Sequence, residues 1–458
     1  SSKFPTDQQW AFFPSVSGGW RVSEEAFWKV NPDLFSNLKI RASYGSLGNG
    51  NVSPYSFLEL LSISTSGRVL NGLKNKYTSA PAVMPDGLTW ETATTTDVGL
   101  DFGMLNNRLQ FNGDYYIRKT TDMYTVGETL PDVFGASSPK GNYADMTTKG
   151  WEITLTWRDQ FTLAEKPFNY EIRGTLSDYI STIDRYNNQT GNLDDYYAGK
   201  RVGEIWGYVT EGLFKDQADI DSHADQTLIQ SSSKRITYPG DVKIKDLNGD
   251  HVIDYGNNTV DDHGDKTVIG NALPRYAYSI NLSGDWNNFF LSAFFQGVGK
   301  QDWYPSSECI FWGQYNRPYN NMPTWHQGNY WTEDNTDAYL PRYAGYNASL
   351  KSTPQTRYLQ NVAYIRLKNL QFGYTLPQPI VSKAKLQNVR VYISAENLWC
   401  WSPLYKHTRD LDVTNIYGSD PDLTDADMSS GLNGNRGSGD GNSYPQMKSV
   451  SLGLSVTF

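Results

Sequence analysis

Residues 449–458, with the sequence SVSLGLSVTF, carry the clearest structural pattern in this chain. Apolar side chains occupy every second position from Val450 to Phe458, and small or polar residues fill the positions between them. Because successive side chains of a β-strand point to opposite faces, this segment predicts a strand with one apolar face and one small, polar face. Strands of soluble sandwiches have this pattern, and so do barrel strands with lipid outside and water inside.

The same signal, aromatic and β-branched residues alternating with polar or small ones, recurs along the chain, whereas helical periodicity is scarce. It predicts an all-β protein with about eleven antiparallel strands. Several of these segments exceed the usual strand length of about 5–6 residues, as tilted strands that cross a membrane do. The predicted strands are 8–22, 37–47, 89–102, 107–120, 146–158, 167–183, 274–286, 288–300, 359–377, 386–401 and 444–458.

The connections between these segments alternate in length. Outer-membrane barrels have short periplasmic turns and long extracellular loops, so the alternation favours a transmembrane β-barrel over a soluble sandwich. Single-chain bacterial barrels have an even number of strands, so about eleven strands predict part of a barrel that another polypeptide or an N-terminal segment completes. The short connections are 23–36, 103–106, 159–166, 285–288 and 378–385, and the long ones are 48–88, 121–145, 184–273, 301–358 and 402–443.

Composition excludes several classes of protein. The 458 residues are 14% aromatic, which argues against disorder, and no apolar run approaches the ~18 residues of a transmembrane helix. The net charge of −9 and the absence of a basic stripe argue against nucleic acid as a partner. The chain starts SSKFPTDQQW, without an initiator Met or a signal peptide, so we expect it to begin inside a longer structure.

Ten features, in order along nearly the whole chain, carry a family resemblance. They resemble the C-terminal half of SusC/RagA-type TonB-dependent outer-membrane transporters of Bacteroidetes. The features are SSKFPTDQQWAFFPSVSGGWRVSEEAF (1–27), LKIRASYGSLGN (38–49), LTWETATTTDVGLDFGMLNNRLQFNGDYYIRKTTDMY (88–124), KGWEITLTW (149–157), VGEIWGYVTEGLF (202–214), PGDVKIKDLNGDHVID (239–254), KTVIGNALPRYAYSINL (266–282), YIRLKNLQFGYTLP (364–377), VRVYISAENLWCWS (389–402) and the terminal Phe458.

The resemblance implies a 22-stranded barrel with an N-terminal plug and a SusD-type surface lipoprotein as a lid. Uptake of oligosaccharides or peptides would be driven through TonB. It places residues 1–458 in the second half of the barrel, without a signal peptide, TonB box or plug, so TonB would act through the missing N-terminal part. It also implies an outer-membrane location with lipid around the strands, and we expect pairing of two transporter–lid units as well.

The sharpest chemical motif is DLNGDHVID, residues 246–254. Its oxygen-bearing residues have the spacing of an EF-hand-like calcium loop, which predicts a structural Ca²⁺ site with Mg²⁺ as the alternative ion. His251 replaces the usual glycine and Asn257 the usual bidentate Glu, so Asp265 is the candidate for the missing ligand, with Asp261 and Asp262 as alternatives. A solvated acidic turn without an ion is the other interpretation. The predicted ligands are Asp246, Asn248, Asp250, the Val252 carbonyl, Asp254 and Asp265.

The long loop 301–358 is rich in aromatic residues. Aromatic faces stack on sugars, and rings with a few polar groups are typical of ligand pockets, so this loop predicts contacts with a ligand or with the lid. The other interpretation is that the rings fold the loop on itself. The candidates are Trp303, Trp312, Tyr315, Arg317, Trp325 and Trp331. Five further tryptophans near strand ends predict interfacial girdles: Trp151, Trp157, Trp286, Trp399 and Trp401.

Catalytic motifs are missing from the sequence: the five His residues form no HExxH pair, and no GxSxG elbow occurs. We therefore expect transport and not catalysis. The aromatic loops favour an oligosaccharide as the ligand, with a peptide importer of the same family as the alternative. A soluble secreted all-β glycan-binding protein or glycosidase is the alternative from a different class.

Overall fold

The structure is a computed structural model of the chain. It describes residues 1–58, 61–78, 83, 87–127, 133, 138–230, 236–305, 309–315, 321–344, 353–414, 416 and 446–458. Among these residues, no helix has the length and the apolar composition needed to cross a membrane.

Eleven strands form one antiparallel sheet in which each strand pairs with its neighbours in the sequence. The predicted all-β architecture of eleven antiparallel strands is confirmed. In chain order, the strands are β1 (Ser15–Arg21), β2 (Phe35–Asn49), β3 (Glu91–Met104), β4 (Leu109–Val126), β5 (Lys140–Leu163), β6 (Lys166–Arg185), β7 (Arg275–Trp286), β8 (Phe289–Lys300), β9 (Tyr364–Thr375), β10 (Asn388–Trp401) and β11 (Ser449–Thr457).

The register gives the sheet one apolar and one polar face. Directly opposite residues of antiparallel strands lie on the same face. Across β11, β10, β9 and β8, one such row of opposite residues consists of Leu452, Ile393, Phe372 and Leu291. All four are exposed in this chain. The adjacent row is polar and consists of Ser451, Ser394, Gln371 and Ser292.

One end of the sheet, the turn end, carries the connections 22–34, 105–108, 164–165, 287–288 and 376–387. Two of them are two-residue turns, Ala164–Glu165 and Asn287–Asn288, and all four residues have positive φ, between 45° and 67°. Positive φ at both central residues is the type I′ geometry whose twist matches the twist of paired strands. The turns therefore fix the register of the β5–β6 and β7–β8 hairpins.

The opposite end, the loop end, carries the residues 50–90, 127–139, 186–274, 301–363 and 402–448. The predicted alternation is confirmed with one correction. Strands β4 and β5 extend beyond their predicted ends, so the connection 127–139 is only as long as the turn 22–34. Strand β5 has 24 residues and is roughly 80 Å long at ~3.3 Å per residue. Even when tilted, such a strand projects beyond a hydrocarbon core of ~30 Å.

The prediction for the first strand, 8–22, is wrong in its first half, because β1 begins only at Ser15 and residues Thr6–Gln8 form a 3-10 helix. Phe4 is fully buried, and its ring lies 4.7 Å from that of Trp90. The indole Nε1 of Trp90 donates to the carbonyl of Gln8 across 2.9 Å. These contacts hold the N-terminal residues against the start of β3 instead of in the sheet.

Outside the eleven-stranded sheet, the described residues form further short elements. Their strands are Ile63–Leu70, Leu73–Thr78, Glu204–Tyr208, Thr210–Leu213, Val242–Ile244, Lys266–Asn271, Asp302–Trp303, Tyr330–Trp331, Leu340–Arg342 and Gln360–Asn361. The α-helices are Gln217–Asp221 and Gln378–Val381, and the 3-10 helices are Thr6–Gln8, Val22–Glu24, Thr227–Ile229, Ile310–Tyr315, Thr324–His326, Ser382–Ala384 and Pro403–Lys406.

Candidate functional site

The polar face of the sheet carries an ion-pair network on β2, β3 and β4. The Arg41 guanidinium lies 2.8 Å from carboxylate oxygens of both Asp101 and Asp114. Gly99 stands between Arg41 and Asp114 in the register. A Cβ there would come within 2.3 Å of the Asp114 carboxylate and 2.6 Å of the Arg41 guanidinium. Glycine at this position therefore lets the charged groups meet on the polar face.

The main hydrophobic core lies in the loops and not in the sheet. Loops 186–274, 301–363 and 402–448 contribute buried side chains to one cluster, which we call the loop core. Because both faces of a one-layer sheet are open within this chain, the loops are where apolar side chains pack against one another. The members of the loop core are Tyr208, Leu213, Val242, Ile244, Ile253, Trp303, Cys309, Phe311, Trp312, Tyr315, Leu340, Tyr358, Val362, Leu404, Leu411, Val413 and Ile416.

Three of the predicted ligand-contact residues, Trp303, Trp312 and Tyr315, are members of the loop core, and at most 1% of each is exposed. The Trp312 indole donates to the carbonyl of Pro305 across 3.2 Å, and the Tyr315 hydroxyl donates to that of Pro341 across 2.7 Å. These contacts support the alternative in which the rings fold the loop on itself. In this conformation the three rings have no surface to present to a ligand.

Trp325 and Trp331 are only partly buried at the margin of the loop core. The Trp325 ring lies 4.2 Å from that of His326 and 5.8 Å from that of His407. The Trp331 ring packs on Gly240, where a Cβ would come within 2.5 Å of it and where φ is +83°. Contact of these two rings with a ligand stays a prediction. Arg317 lies outside the described residues.

An ion pair that the sequence did not indicate joins the two longest loops. Arg342 donates through Nε to Oδ1 of Asp241 across 2.7 Å, and its guanidinium lies 4.5 Å from the centre of the Tyr238 ring. Only 2% of the Asp241 side chain is exposed. Burial raises the pKa of this carboxyl although the guanidinium opposes the shift. The two residues are 101 positions apart, so no local motif could have predicted their contact.

The predicted calcium loop has the backbone turn that such a loop needs. His251 has a φ of +66° at the position that calcium loops usually give to glycine. The carboxylate of Asp246 accepts the amides of Gly249 and His251 across 2.6 and 2.9 Å, and Asp250 accepts the amide of Val252 across 2.8 Å. Hydrogen bonds to these amides hold the pKa of Asp246 below its usual range although desolvation opposes the shift.

Asp265, the predicted distant ligand, is fully buried and already has partners. Its two oxygens accept the amides of Leu247 and Asp254 across 2.7 and 3.0 Å, which closes the loop at both ends. Within the described ranges, no three His, Cys, Asp or Glu side chains are grouped so that they could hold a metal ion. The backbone turn at His251 thus fits a calcium loop. The carboxylates of Asp246, Asp250 and Asp265, however, accept hydrogen bonds from backbone amides and do not converge on one point.

The five predicted girdle tryptophans lie on the apolar face of the sheet. Trp151 is opposite Tyr115, Trp157 opposite Ile172 and Trp286 opposite Phe289. In β10, Trp399 and Trp401 are opposite Leu367 and Ile365. Trp286, Trp399 and Trp401 lie at or near the ends of their strands, which is the girdle pattern of a lipid-facing barrel wall. Trp151 lies in the middle of β5, because this strand extends beyond its predicted ends, so the predicted position of Trp151 near a strand end is wrong.

Comparisons with known proteins agree with this geometry. Residues 1–398 match the family described as "TonB dependent receptor-like, beta-barrel". TonB-dependent receptor P26 of Formosa agariphila is 28% identical over 480 residues, and the alignment covers 100% of this chain and 43% of that protein. For TonB-dependent receptor SusC of Bacteroides thetaiotaomicron the identity is 24% over 474 residues, with 100% and 41% covered.

A solved structure described as the RagAB peptide transporter has a similar fold. The TM-score is 0.68 at 19% sequence identity, and the match covers 100% of this chain and 44% of that one. The chain therefore spans less than half the length of the relatives that it matches.

Proposed function

Because the chain belongs to the TonB-dependent receptor-like β-barrel family, whose members lie in the bacterial outer membrane, we propose that it supplies the C-terminal half of a 22-stranded importer of SusC/RagA type. Its task is transport and not catalysis. The alternative of a soluble secreted glycan-binding protein or glycosidase is wrong, because the family assignment places the chain in the outer membrane.

One observation carries this proposal: a single sheet of eleven strands has an apolar face, a polar face and all its long loops at one end. The apolar face suits contact with lipid, and the polar face with its Arg41–Asp101–Asp114 network suits a water-filled lumen. Because the loop core packs three long loops together, the loop end offers a folded surface for capturing a ligand.

We propose an oligosaccharide as the ligand. In the aromatic loop 301–358, fewer rings support this proposal than the sequence indicated. Trp325 and Trp331 are partly exposed and support it, whereas the buried rings of Trp303, Trp312 and Tyr315 do not. A peptide is the alternative, because RagAB is described as a peptide transporter and has a similar fold.

The proposal includes two protein partners. A SusD-like surface lipoprotein would cover the loop end as a lid, and two transporter–lid units would pair. TonB would act on a plug that belongs to the N-terminal part of the protein, outside this chain. The support for both partners is the similarity to SusC and to RagAB.

The proposal is tested in the bacterium that carries the chain. A strain that lacks it is compared with a complemented strain for uptake of radiolabelled oligosaccharides and radiolabelled peptides of matched mass. We expect the deletion to abolish oligosaccharide uptake and to spare peptide uptake. A loss confined to peptides would establish the alternative ligand, and normal uptake of both would overturn the importer proposal.

The partners are tested by extracting the native complex from outer membranes in detergent and measuring the intact mass of every polypeptide. We expect this chain beside or within a species of roughly twice its length, together with a lipoprotein. Recovery of a soluble 51.7 kDa monomer without detergent would contradict the proposal.

A further inference from the structure

A cavity of about 240 Å³ lies at the loop end, where β9 and β10 meet the loop 402–448. It borders the loop core, because Leu411 belongs to both, and it shares no residue with the Arg41 network. Its lining is rich in cationic groups and includes Arg366, Cys400, Tyr405, Arg409, Asp412 and Lys448.

Arg366 forms the floor of this cavity, and only 3% of the residue is exposed. Its Nη2 donates to Oδ1 of Asp412 across 2.5 Å, and its Nη1 donates to the amide oxygen of Gln446 across 3.1 Å. Its Nε is buried and, among the residues that the structure describes, has no hydrogen-bond acceptor. A buried guanidinium N–H without an acceptor is rare in folded proteins. The Nε–H of Arg366 is therefore a donor that the described residues do not use.

Asp412 already accepts four hydrogen bonds. Besides Arg366, it accepts the hydroxyl and the amide of Thr414 across 2.7 and 3.0 Å and the amide of Gln446 across 2.9 Å. Although burial disfavours the charged form, these hydrogen bonds and the guanidinium hold the pKa of Asp412 below its usual range. Within the described residues, Arg366 is the cation that pairs with this carboxylate.

Arg409 and Lys448 add two further positive charges at the rim of the cavity. Both residues are exposed. Arg409 lies 5.3 Å from the centre of the Tyr405 ring, and within the described residues neither Arg409 nor Lys448 has a carboxylate partner. Lys368 approaches from the strand side and donates to Gln446 across 3.1 Å. The cavity thus holds more cations than anions.

We propose that this cavity is a subsite that binds one anionic group, a carboxylate or a sulfate, of the ligand taken up by the importer. Guanidinium and ammonium groups bind such oxyanions with strong, charge-assisted hydrogen bonds. The cavity has the volume of several water molecules of ~30 Å³ each, so it accommodates a substituent or one sugar unit and not a chain. The inference rests on the proposed function. It adds that the importer prefers ligands that carry an acidic group.

The test uses the purified native complex and three soluble probes of similar size: glucuronate, glucose 6-sulfate and neutral glucose. Ligand-observed nuclear magnetic resonance measures the dissociation constant of each. We expect at least one anionic probe to bind tenfold or more tightly than glucose, and the ratio between the two anions tells a carboxylate subsite from a sulfate subsite.

The decisive variant is the double substitution Arg409→Gln with Lys448→Gln, which leaves the Arg366–Asp412 pair intact. It should reduce the affinity for the preferred anion at least tenfold and leave that for glucose unchanged. The matched control is Lys383→Gln with Lys385→Gln, which removes the same charge at the turn end and should change neither. Equal binding of all three probes, or unchanged anion binding by the rim variant, would overturn the subsite. Labelled-nutrient uptake by the deletion strain tests the proposed function separately.

Discussion

Arg342 and Asp241 meet across 2.7 Å and thereby connect the two longest loops of the chain. The carboxylate is almost completely buried and the guanidinium is partly exposed. Arg342 also belongs to the short strand Leu340–Arg342, which pairs with Tyr330–Trp331. Its backbone amide donates to the carbonyl of Gly240, the residue before Asp241, across 2.8 Å. The side chains and the backbone thus fix the same contact between loops.

The first prediction concerns this ion pair. Arg342→Ala leaves a buried carboxylate without its partner, a change that typically costs about 3–5 kcal/mol. We expect faster hydrogen–deuterium exchange throughout the loop core and faster proteolysis within 186–274 and 301–363. The control is Arg21→Ala, because the Arg21–Glu24 pair is exposed on both sides. If both variants exchange at wild-type rates, the pair does not hold the loops together.

The second prediction tests the orientation of the sheet in the membrane. Leu454 lies on the apolar face in β11, and its neighbour Ser455 lies on the polar face. Leu454→Arg places a charge in lipid and should cost ~2–4 kcal/mol near the bilayer midplane, whereas Ser455→Arg should be far milder. Urea unfolding of the whole protein in liposomes measures both. Equal costs for the two substitutions would argue that neither side chain faces lipid.

The third prediction separates rings that fold the loops from rings available to a ligand. Trp312 is fully buried, and its ring lies 5.2 Å from those of Phe311 and Tyr358. Trp312→Ala should therefore cost about 3–5 kcal/mol in the loop core, measured as lost protease resistance. Trp325→Ala should preserve protease resistance and weaken oligosaccharide binding at least fivefold. Unchanged binding by the Trp325 variant would remove this ring from the proposed ligand surface.

The fourth prediction follows from His326, which is fully buried and whose Nε2 lies 2.9 Å from the carbonyl oxygen of Phe311. Burial lowers its pKa from 6.5 to about 4. Because the folded-state pKa is the lower one, the stabilisation is complete above the unfolded pKa and is lost as the pH falls toward 4. The loss is about 3 kcal/mol at most.

Thermal unfolding of the native complex at pH 7.5 and pH 4.5 measures this dependence. We expect His326→Gln to reduce the difference between the two melting temperatures, since glutamine does not titrate and can still donate to the Phe311 carbonyl. Gln327→Ala, at the exposed neighbouring position, is the control and should behave like wild type. An undiminished difference in the His326 variant would assign the acid sensitivity to other groups.

The fifth prediction concerns the proposed structural Ca²⁺ in residues 246–254. Its support is the turn geometry and the hard-oxygen side chains, which match the preference of Ca²⁺. Calcium should raise the melting temperature of the EDTA-treated complex, and Mg²⁺ should do so less. Asp246→Asn with Asp250→Asn should abolish the rise. If Ca²⁺ has no effect on the wild type, Asp265 closes this loop without an ion.

The strands were predictable because their signal is local. Alternation within 449–458 and in the other segments needs no knowledge of distant residues, and the structure places all eleven strands in the predicted order. The first strand was predicted too long because residues 8–14 have the alternation of a strand. Contacts of Phe4 and Gln8 with Trp90 hold this part of the chain outside the sheet. Trp90 lies 82 residues beyond Gln8, so the local pattern could not indicate these contacts.

The role of the aromatic residues was not predictable from composition alone. A sequence rich in Trp and Tyr suits both a ligand surface and a folded loop, and only contacts such as Trp312 with Tyr358 decide between them. The same holds for the Arg366–Asp412 pair, whose members are 46 residues apart. Sequence reasoning found no basic stripe because the cations of that cavity come from separate segments.

The tight turns at the turn end bear on the order in which the sheet assembles. Hairpins β5–β6 and β7–β8 close over two residues each, whereas joining β6 to β7 requires closure of the 186–274 loop. In the Gaussian-chain approximation, closing a loop of that length costs about 2 kcal/mol more than closing the 127–139 loop. The hairpins are therefore kinetic units that form early, and the pairing of β6 with β7 is the slow step, because its contacts join residues that are far apart in the sequence.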